Sequence, residues 1–438
     1  MRLFVRFILF VFIFLVSTVL LCLFLIVQKT SHYGLEKEII SSSKNVFNSD
    51  LSVFQGDIVA VSYLKEGKKK ERASKKRIHP SIIKAVYLTS WAASRKDYID
   101  YILSLTESTE INAVVIDIKD YSGYIAYKSE LPEVKKYKAQ GFRIKNIESL
   151  IKKFHQNGVY VIARIVVFQD PVLARARPDL AVHSKKKINA LVKHPSSTST
   201  SAFFRVDTLW SDRKGLFWVD PASEEVWQYN VAIAKEAFSK GFDEINFDYV
   251  RFPSDGDLRD MEFSFWDKST SKREVIKKFF QYLHKKLENQ IISVDLFGLA
   301  CTREDDLGIG QVIEDAFGYV DYVCLMVYPS HYESGFLGYK EPAKHPYEVV
   351  NYSLKKAIKR LKKYDFPEER KTKIRPWIQD FDLGEITYGT KEVKEQIKTV
   401  YRALGDDFSG FMVWSPSNSY TKETFEKRSN ISLTFCLF

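Results

Sequence analysis

The chain has 438 residues, 45% of them hydrophobic and 14% aromatic, so it can bury a large core and long disorder is not expected. Much of its net charge of +11 sits in residues 65–77, KEGKKKERASKKR, with no recognition helix, zinc knuckle or aromatic-interleaved basic face beside it. That run reads as a solvated spacer able to meet phosphate or anionic lipid heads, and nucleic acid is not an expected partner.

Residues 1–28 start with Arg2 and Arg6, then run uncharged from position 7 to position 27. About 20 apolar residues suffice to cross a bilayer as a helix. The arginines hold the N-terminus inside, which leaves the C-terminal bulk outside the cytoplasm. No small-residue cleavage site follows, so we expect a single-pass signal anchor; secretion after signal cleavage is the alternative. Residues 29–80 read as a stalk ending in the basic run, with a short strand at 58–61 and Pro80 as punctuation.

From residue 81 to 425 apolar strands alternate with amphipathic helices. The strands read as 84–91, 113–119, 159–168, 244–249, 292–297, 322–328, 373–379 and 410–414. Helical runs cover 147–156, 224–239, 272–288, 346–363 and 391–404. Strand–helix alternation implies a parallel sheet, and eight such units fit an α/β fold of the (β/α)8 TIM-barrel type. A doubly wound open sheet is the runner-up, but the first strand is followed by Ala92-Ala93-Ser94-Arg95 with no glycine-rich phosphate turn. An insertion after strand three spans 170–221, with a Ser/Thr-rich centre at 191–201 that reads as mobile and a folded end at 215–221. Residues 426–438 form a tail, apolar from 431.

The chain is organised around residues 241–256, GFDEINFDYVRFPSDG. Apolar and polar residues alternate there, so Asn246 and Asp248 share a face opposite Ile245 and Phe247. A carboxylate at the carboxyl end of a parallel strand is where such a barrel keeps its chemistry. The plainer reading is an Asp that caps its loop or pairs with Arg251, which would keep it charged. The same parity sends Asp117, Lys119, Arg164, Asp295, Trp377, Gln379 and Trp414 toward one mouth, where the strand-six end adds Tyr328 and His331. A barrel with a purely structural interior would fill those positions with aliphatics. Trp91, Trp218, Tyr328, Trp377 and Trp414 suit the apolar ring faces of a sugar.

Paired carboxylates fit glycoside hydrolysis, one ionised and one holding a proton. Asp248 reads as nucleophile or base and Asp295 as acid, with Asp117, Asp120 and Glu304 as rivals for the acid. Asp117, Lys119, Asp120, Arg164, Arg251, Tyr328, His331, Trp377, Gln379 and Trp414 read as substrate-binding residues, and Lys119, Arg164 and Arg251 hint at an anionic or acetamido sugar. Cys22, Cys301, Cys324 and Cys436 show no paired spacing, and the histidines lack metal-site spacing. No metal, cofactor, Ser nucleophile elbow or Walker loop is expected.

Five blocks, AVVIDIKDYSGY (113–124), WVDPASEEVWQY (218–229), GFDEINFDYVRFP (241–253), SVDLFG (293–298) and DYVCLMVYPS (321–330), resemble the glycoside hydrolase-like barrel domain family, a largely uncharacterised group. The resemblance covers about residues 83–425. It implies a (β/α)8 barrel of the glycosidase class with the strand-four residue, Asp248, as the catalytic carboxylate. Fold alone does not give function. The reading is a membrane-anchored hydrolase of an envelope or extracellular polysaccharide; the rival is a tethered barrel that binds glycan without cleaving it. If the apolar segment is an uncleaved anchor, protein extracted from membranes keeps its original N-terminus, and N-terminal sequencing that starts beyond residue 28 would defeat that expectation.

Overall fold

Eight parallel strands close on themselves in the computed structural model, which describes residues 80–192, 205–367 and 371–427. They are β1 (Ile83–Leu88), β2 (Ala113–Lys119), β3 (Tyr160–Val166), β4 (Glu244–Asp248), β5 (Ile292–Phe297), β6 (Tyr322–Met326), β7 (Lys373–Ile374 and Trp377–Gln379) and β8 (Gly410–Trp414). Neighbours pair in chain order from β1 to β8, and β8 returns to β1 in the register Ile83↔Gly410 to Val86↔Val413. Pro376 interrupts β7 because it has no N–H for the ladder, and pairing with β6 resumes at Trp377↔Met326. Gly410 is required at the seam: its φ is +114°, and a Cβ there would lie 1.7 Å from the Ile83 carbonyl oxygen.

Strands in a closed parallel barrel are covered on both faces, and β2, β3 and β4 are buried throughout. Parity then sorts the residues. Val86, Ile116, Ala163, Phe247 and Leu296 pack outward against the helices, while Ala85, Tyr87, Val115, Ile162 and Met412 pack inside the barrel. The long helices are α1 (Lys96–Ser108), α2 (Ile147–Gln156), α3 (Glu224–Lys240), α4 (Lys272–Lys286), α5 (Pro346–Leu361) and α6 (Thr390–Leu404). In α2, Ile147, Leu150, Ile151 and Phe154 form the buried stripe, and the Asn146 side chain accepts the Ser149 N–H at 2.8 Å to cap the first turn.

The alternation is incomplete. Between β5 and β6 the chain makes only 3-10 turns, Gly298–Cys301 and Ile313–Asp315. Arg360 of α5 ties down that connection, donating to the carbonyls of Ala300 at 2.6 Å and Arg303 at 2.7 Å and pairing with Glu314. The described part of the insertion is folded. Val182–Ser184 pairs antiparallel with Met261–Phe263, and Gln169 and Ala181 bridge to Trp218 and Val219. Leu191 and Val192 end a helix, Lys185–Val192, rather than a mobile stretch. Among the described residues no helix is long and apolar enough to cross a membrane. The expected anchor, the strand at 58–61, the basic run, the Ser/Thr-rich 193–201 and the apolar tail lie outside the described residues.

The floor of the barrel is a buried ion pair. Arg375 engages Glu244 with both terminal nitrogens, and both side chains are fully buried. Ser293 donates to the same carboxylate at 2.5 Å, and the guanidinium lies 4.0 Å over the Tyr322 ring. Removing one member of a buried pair strands the other charge and costs about 3–5 kcal/mol. Arg375→Met should therefore lower the unfolding free energy measured in urea by an amount of that order, and Glu244→Gln added to it should recover much of the loss. A single variant as stable as the parent would mean that the pair does not hold the floor.

Candidate active site

Arg164 stands on β3 with its guanidinium among three carboxylates from three other strands. Nη1 donates to Asp117 of β2 at 2.6 Å, Nη2 pairs with Asp248 of β4, and Nε lies 3.8 Å from Asp295 of β5. All four side chains are buried at the carboxyl ends of their strands. Parity explains the convergence: each alternates with outward apolar residues, Ile116 beside Asp117, Ala163 and Ile165 beside Arg164, Phe247 beside Asp248, and Val294 and Leu296 beside Asp295.

The carboxylates are not equivalent. Asp248 Oδ1 also accepts its neighbour's backbone N–H, from Tyr249 at 2.5 Å. Tyr249 has φ +55°, a strained value for a bulky residue, and it turns the chain out of the strand just after the carboxylate. Asp295 Oδ1 accepts from Asn246 Nδ2 and Trp377 Nε1, each at 2.8 Å. Burial and then the nearby Asp248 charge push the Asp295 carboxyl well above the usual carboxylate range, against the pull of Arg164. Burial also raises Asp117, with Arg164 opposing, and Tyr87 donates its hydroxyl to Asp117 Oδ2.

Above this cluster opens a cavity of about 490 Å³. Asp248, Asp295 and Arg164 form its base, with Phe297, Tyr328, Trp377 and Trp414 as aromatic walls. Trp414 stacks on Tyr87 with centroids 3.9 Å apart and meets Trp377 edge-on at 5.6 Å. His331 sits exposed at the rim, edge-on to Tyr328. A proton-holding carboxyl, a second carboxylate held by a cation, and flat apolar walls are the parts needed to bind a sugar and act on its glycosidic oxygen.

Of the residues singled out from sequence, Asp117, Arg164, Arg251, Asp248, Asp295, Tyr328, His331, Trp377 and Trp414 gather at this mouth. Three substrate-binding expectations do not. Lys119 is fully buried away from the cavity, bound to Asp170 at 2.8 Å, the Val166 carbonyl at 2.6 Å and Asn230 of α3 at 3.3 Å. A register shift between Asp117 and Lys119 breaks the parity that would have pointed it inward. Asp120 is held by Arg143 and by Ser122. Gln379 spends its amide on Ser330 Oγ at 2.7 Å and the Phe381 carbonyl at 2.9 Å, tying the loop after β6 to β7. The expected Asp248–Arg251 pair is absent among the described residues, because Arg164 takes that carboxylate and Arg251 turns toward aromatic rings. Trp91 is exposed and stacks with Arg143, and Glu304 is exposed and outside the cavity wall.

Sequence reasoning passed over Tyr87, whose inward parity in β1 was readable, and Tyr249, Lys214 and Asp255. The last two come from irregular loops without a period to read.

No curated protein matches the chain. Among solved structures, it is similar to a hypothetical protein from Ruminiclostridium thermocellum ATCC 27405, with 34% identity, 51% of this chain and 98% of that chain covered, and a TM-score of 0.40. It is also similar to the alpha-galactosidase TtGalA from Thermus thermophilus, with 11% identity, 79% of this chain and 64% of that chain covered, and a TM-score of 0.42. The glycoside hydrolase domain of PelA from Pseudomonas aeruginosa matches with 11% identity, 78% and 97% coverage, and a TM-score of 0.39. The family described as "Putative glycosyl hydrolase domain" matches residues 85–420, and the chain belongs to it.

Proposed function

We propose that the protein is a membrane-anchored glycoside hydrolase whose barrel lies outside the cytoplasm and cleaves a polysaccharide of the cell envelope or its surroundings. The observation that carries this reading is the group of carboxylates shared by Arg164 beneath an aromatic-walled cavity. Family membership supports the glycan-directed part, and the uncharged segment behind Arg2 and Arg6 supports the tether.

In this reading Asp248 is the nucleophile or base, held at the mouth of the barrel by its ion pair with Arg164. Asp295 is the acid. Its Oδ1 accepts two N–H groups, so the proton resides on Oδ2 and is available for the leaving-group oxygen. Asp117 and Tyr87 fix the far side of Arg164, and the aromatic walls stack the sugar rings. The separation of the two carboxyl groups with substrate in place decides between retention and inversion.

One observation favours a second reading, a tethered barrel that binds glycan without cleaving it. Both Asp248 oxygens are already engaged, Oδ2 by Arg164 and Oδ1 by the Tyr249 N–H. Each oxygen keeps a second lone pair, but a charge-assisted hydrogen bond to one of them and an N–H to the other draw electron density away and weaken the group as a nucleophile.

A panel of envelope glycans and aryl glycosides separates the two. Asp248→Asn should keep glycan binding and lose turnover by several orders of magnitude, because an amide cannot supply the attacking electron pair. Wild type that binds a glycan but cleaves no member of the panel supports the binding barrel; full activity in Asp248→Asn removes Asp248 from the chemistry.

The raised Asp295 carboxyl gives a signed pH prediction. The acid works while protonated, so turnover should fall as pH climbs through its raised value, well above where an ordinary carboxyl ionises. Asp295→Asn should abolish that alkaline limb and slow natural substrates by roughly 10²–10⁴-fold, with a smaller loss on aryl glycosides whose leaving group needs no proton. The folded chain also holds this proton more tightly than the unfolded one. Asp295's contribution to stability is therefore full below the ordinary carboxylate range and lost as pH rises through the folded value, so Asp295→Asn should flatten part of the alkaline decline in Tm. An unchanged alkaline limb in the variant would assign the acid to another group.

A further inference from the structure

A second cavity, of about 360 Å³, is built by the insertion and shares part of its wall with the first. Lys214, Tyr249, Arg251 and Asp255 line both, so the two meet along a seam. Trp218 lines the insertion side and Phe297 the central side.

Arg251 at that seam is 8% exposed, yet it forms no ion pair among the described residues. Its hydrogen bond there runs from Nη1 to the Phe252 carbonyl at 3.1 Å. The guanidinium is otherwise enclosed by rings, 4.8 Å from Trp218, 4.9 Å from Phe297 and 5.0 Å from Tyr249. Buried arginines are normally paired, since an uncompensated buried charge is costly. Burial pulls this guanidinium below its ordinary value, the sense expected for a cation without a close counter-ion. Two of the three neighbouring carboxylates are occupied. Asp248 belongs to Arg164. Asp212 accepts from Gln169 at 2.7 Å, Trp218 at 3.1 Å and the backbone N–H groups of Lys214 and Leu216 at 2.9 and 3.0 Å. Asp255 faces the seam half-buried, as a negative charge that a ligand anion has to avoid.

We propose that the seam is an anion subsite, in which Arg251, assisted by Lys214, binds the carboxylate of a uronic-acid-type sugar while Trp218 and Tyr249 face its ring. A planar carboxylate matches the guanidinium fork in two parallel hydrogen bonds, and a sugar bearing it presents the flat apolar face that aromatic rings accept. The subsite rests on the reading that the barrel holds glycan, and it narrows that glycan to an acidic one bound across both cavities.

The test uses the whole protein in an Asp248→Asn background, so that binding is read without turnover. The probes are oligogalacturonate, oligomannuronate and hyaluronan oligosaccharides, each paired with its carboxyl-reduced neutral counterpart, titrated by calorimetry. At least one acidic probe should bind about tenfold or more tighter than its neutral partner, the worth of a charge-assisted hydrogen bond. Arg251→Met should erase that preference and leave neutral binding in place. Arg251→Lys, which keeps charge but not the fork, should retain part of it and serves if the Met variant does not fold. Asp255→Asn should sharpen the preference. If no acidic probe outbinds its neutral partner, or if the preference survives in Arg251→Met, the inference is overturned. Neutral binding without preference leaves the glycan-holding reading standing, whereas no binding to any probe counts against both.

Discussion

Arg164 is the constraint on which the mouth of this barrel depends. Three carboxylates around one guanidinium crowd more negative charge than that one cation offsets. Two unit charges about 4 Å apart interact by about 4 kcal/mol at an effective dielectric of ~20, so one cation offsets roughly one anion at that range. The remaining excess is relieved by neutral donors and by protons. Tyr87 gives its hydroxyl to Asp117, and Asn246 and Trp377 give N–H groups to Asp295. Asp295, 1% exposed and beside Asp248, is where keeping a proton relieves most. The asymmetry between the carboxyls on which the proposed glycosidic chemistry draws therefore follows from crowding around one arginine, without a separate device for each carboxyl.

Barrel closure is what makes that crowding possible. Arg164 reaches Asp117 on β2 and Asp248 on β4 because both flank β3 in register, Asp117↔Arg164 and Val166↔Asp248. Asp295 comes from the next strand along. Side chains of four consecutive strands meet only if the sheet curls enough to bring their inward faces together. The Glu244–Arg375 pair holds the opposite end of the same interior, where Ser293 and Tyr160 complete its hydrogen bonding. β4 thus carries Glu244, Asn246 and Asp248 as three inward rungs, one at the floor, one bracing Asp295, and one at the mouth.

That ladder explains how much of the protein was readable from its sequence. Period-two alternation is a local property, so strand count, inward parity and the convergence of Asp117, Arg164, Asp248 and Asp295 were legible residue by residue. Reading failed where the backbone departs from that period. The irregularity after Asp117 turns Lys119 away from the cavity to Asp170, and the positive φ at Tyr249 separates Arg251 from Asp248 despite a gap of only two residues. Gln379 keeps its place but is consumed by Ser330, a partner from a loop that no pattern connects to it. The helix missing between β5 and β6 is replaced by Arg360, whose role depends on carbonyls some sixty positions away in sequence. Lys214 and Asp255 belong to irregular segments whose geometry is set by tertiary contacts alone.

The two arginines at the mouth show what burial alone does not reveal. Arg164 and Arg251 are both nearly inaccessible and both lie against aromatic rings. Arg164 has carboxylates on two of its nitrogens, so its charge is spent inside the protein and its task is to set the state of the groups around it. Arg251 has rings on its faces and a single carbonyl at its edge, so its charge is not spent. Aromatic faces hold a guanidinium in place for about 0.5–2 kcal/mol each without neutralising it. A cation fixed in that way is positioned before any ligand arrives and loses little freedom when one binds. In the proposed reading Arg164 sets the state of the carboxylates, and Arg251 is the group left to recognise the glycan.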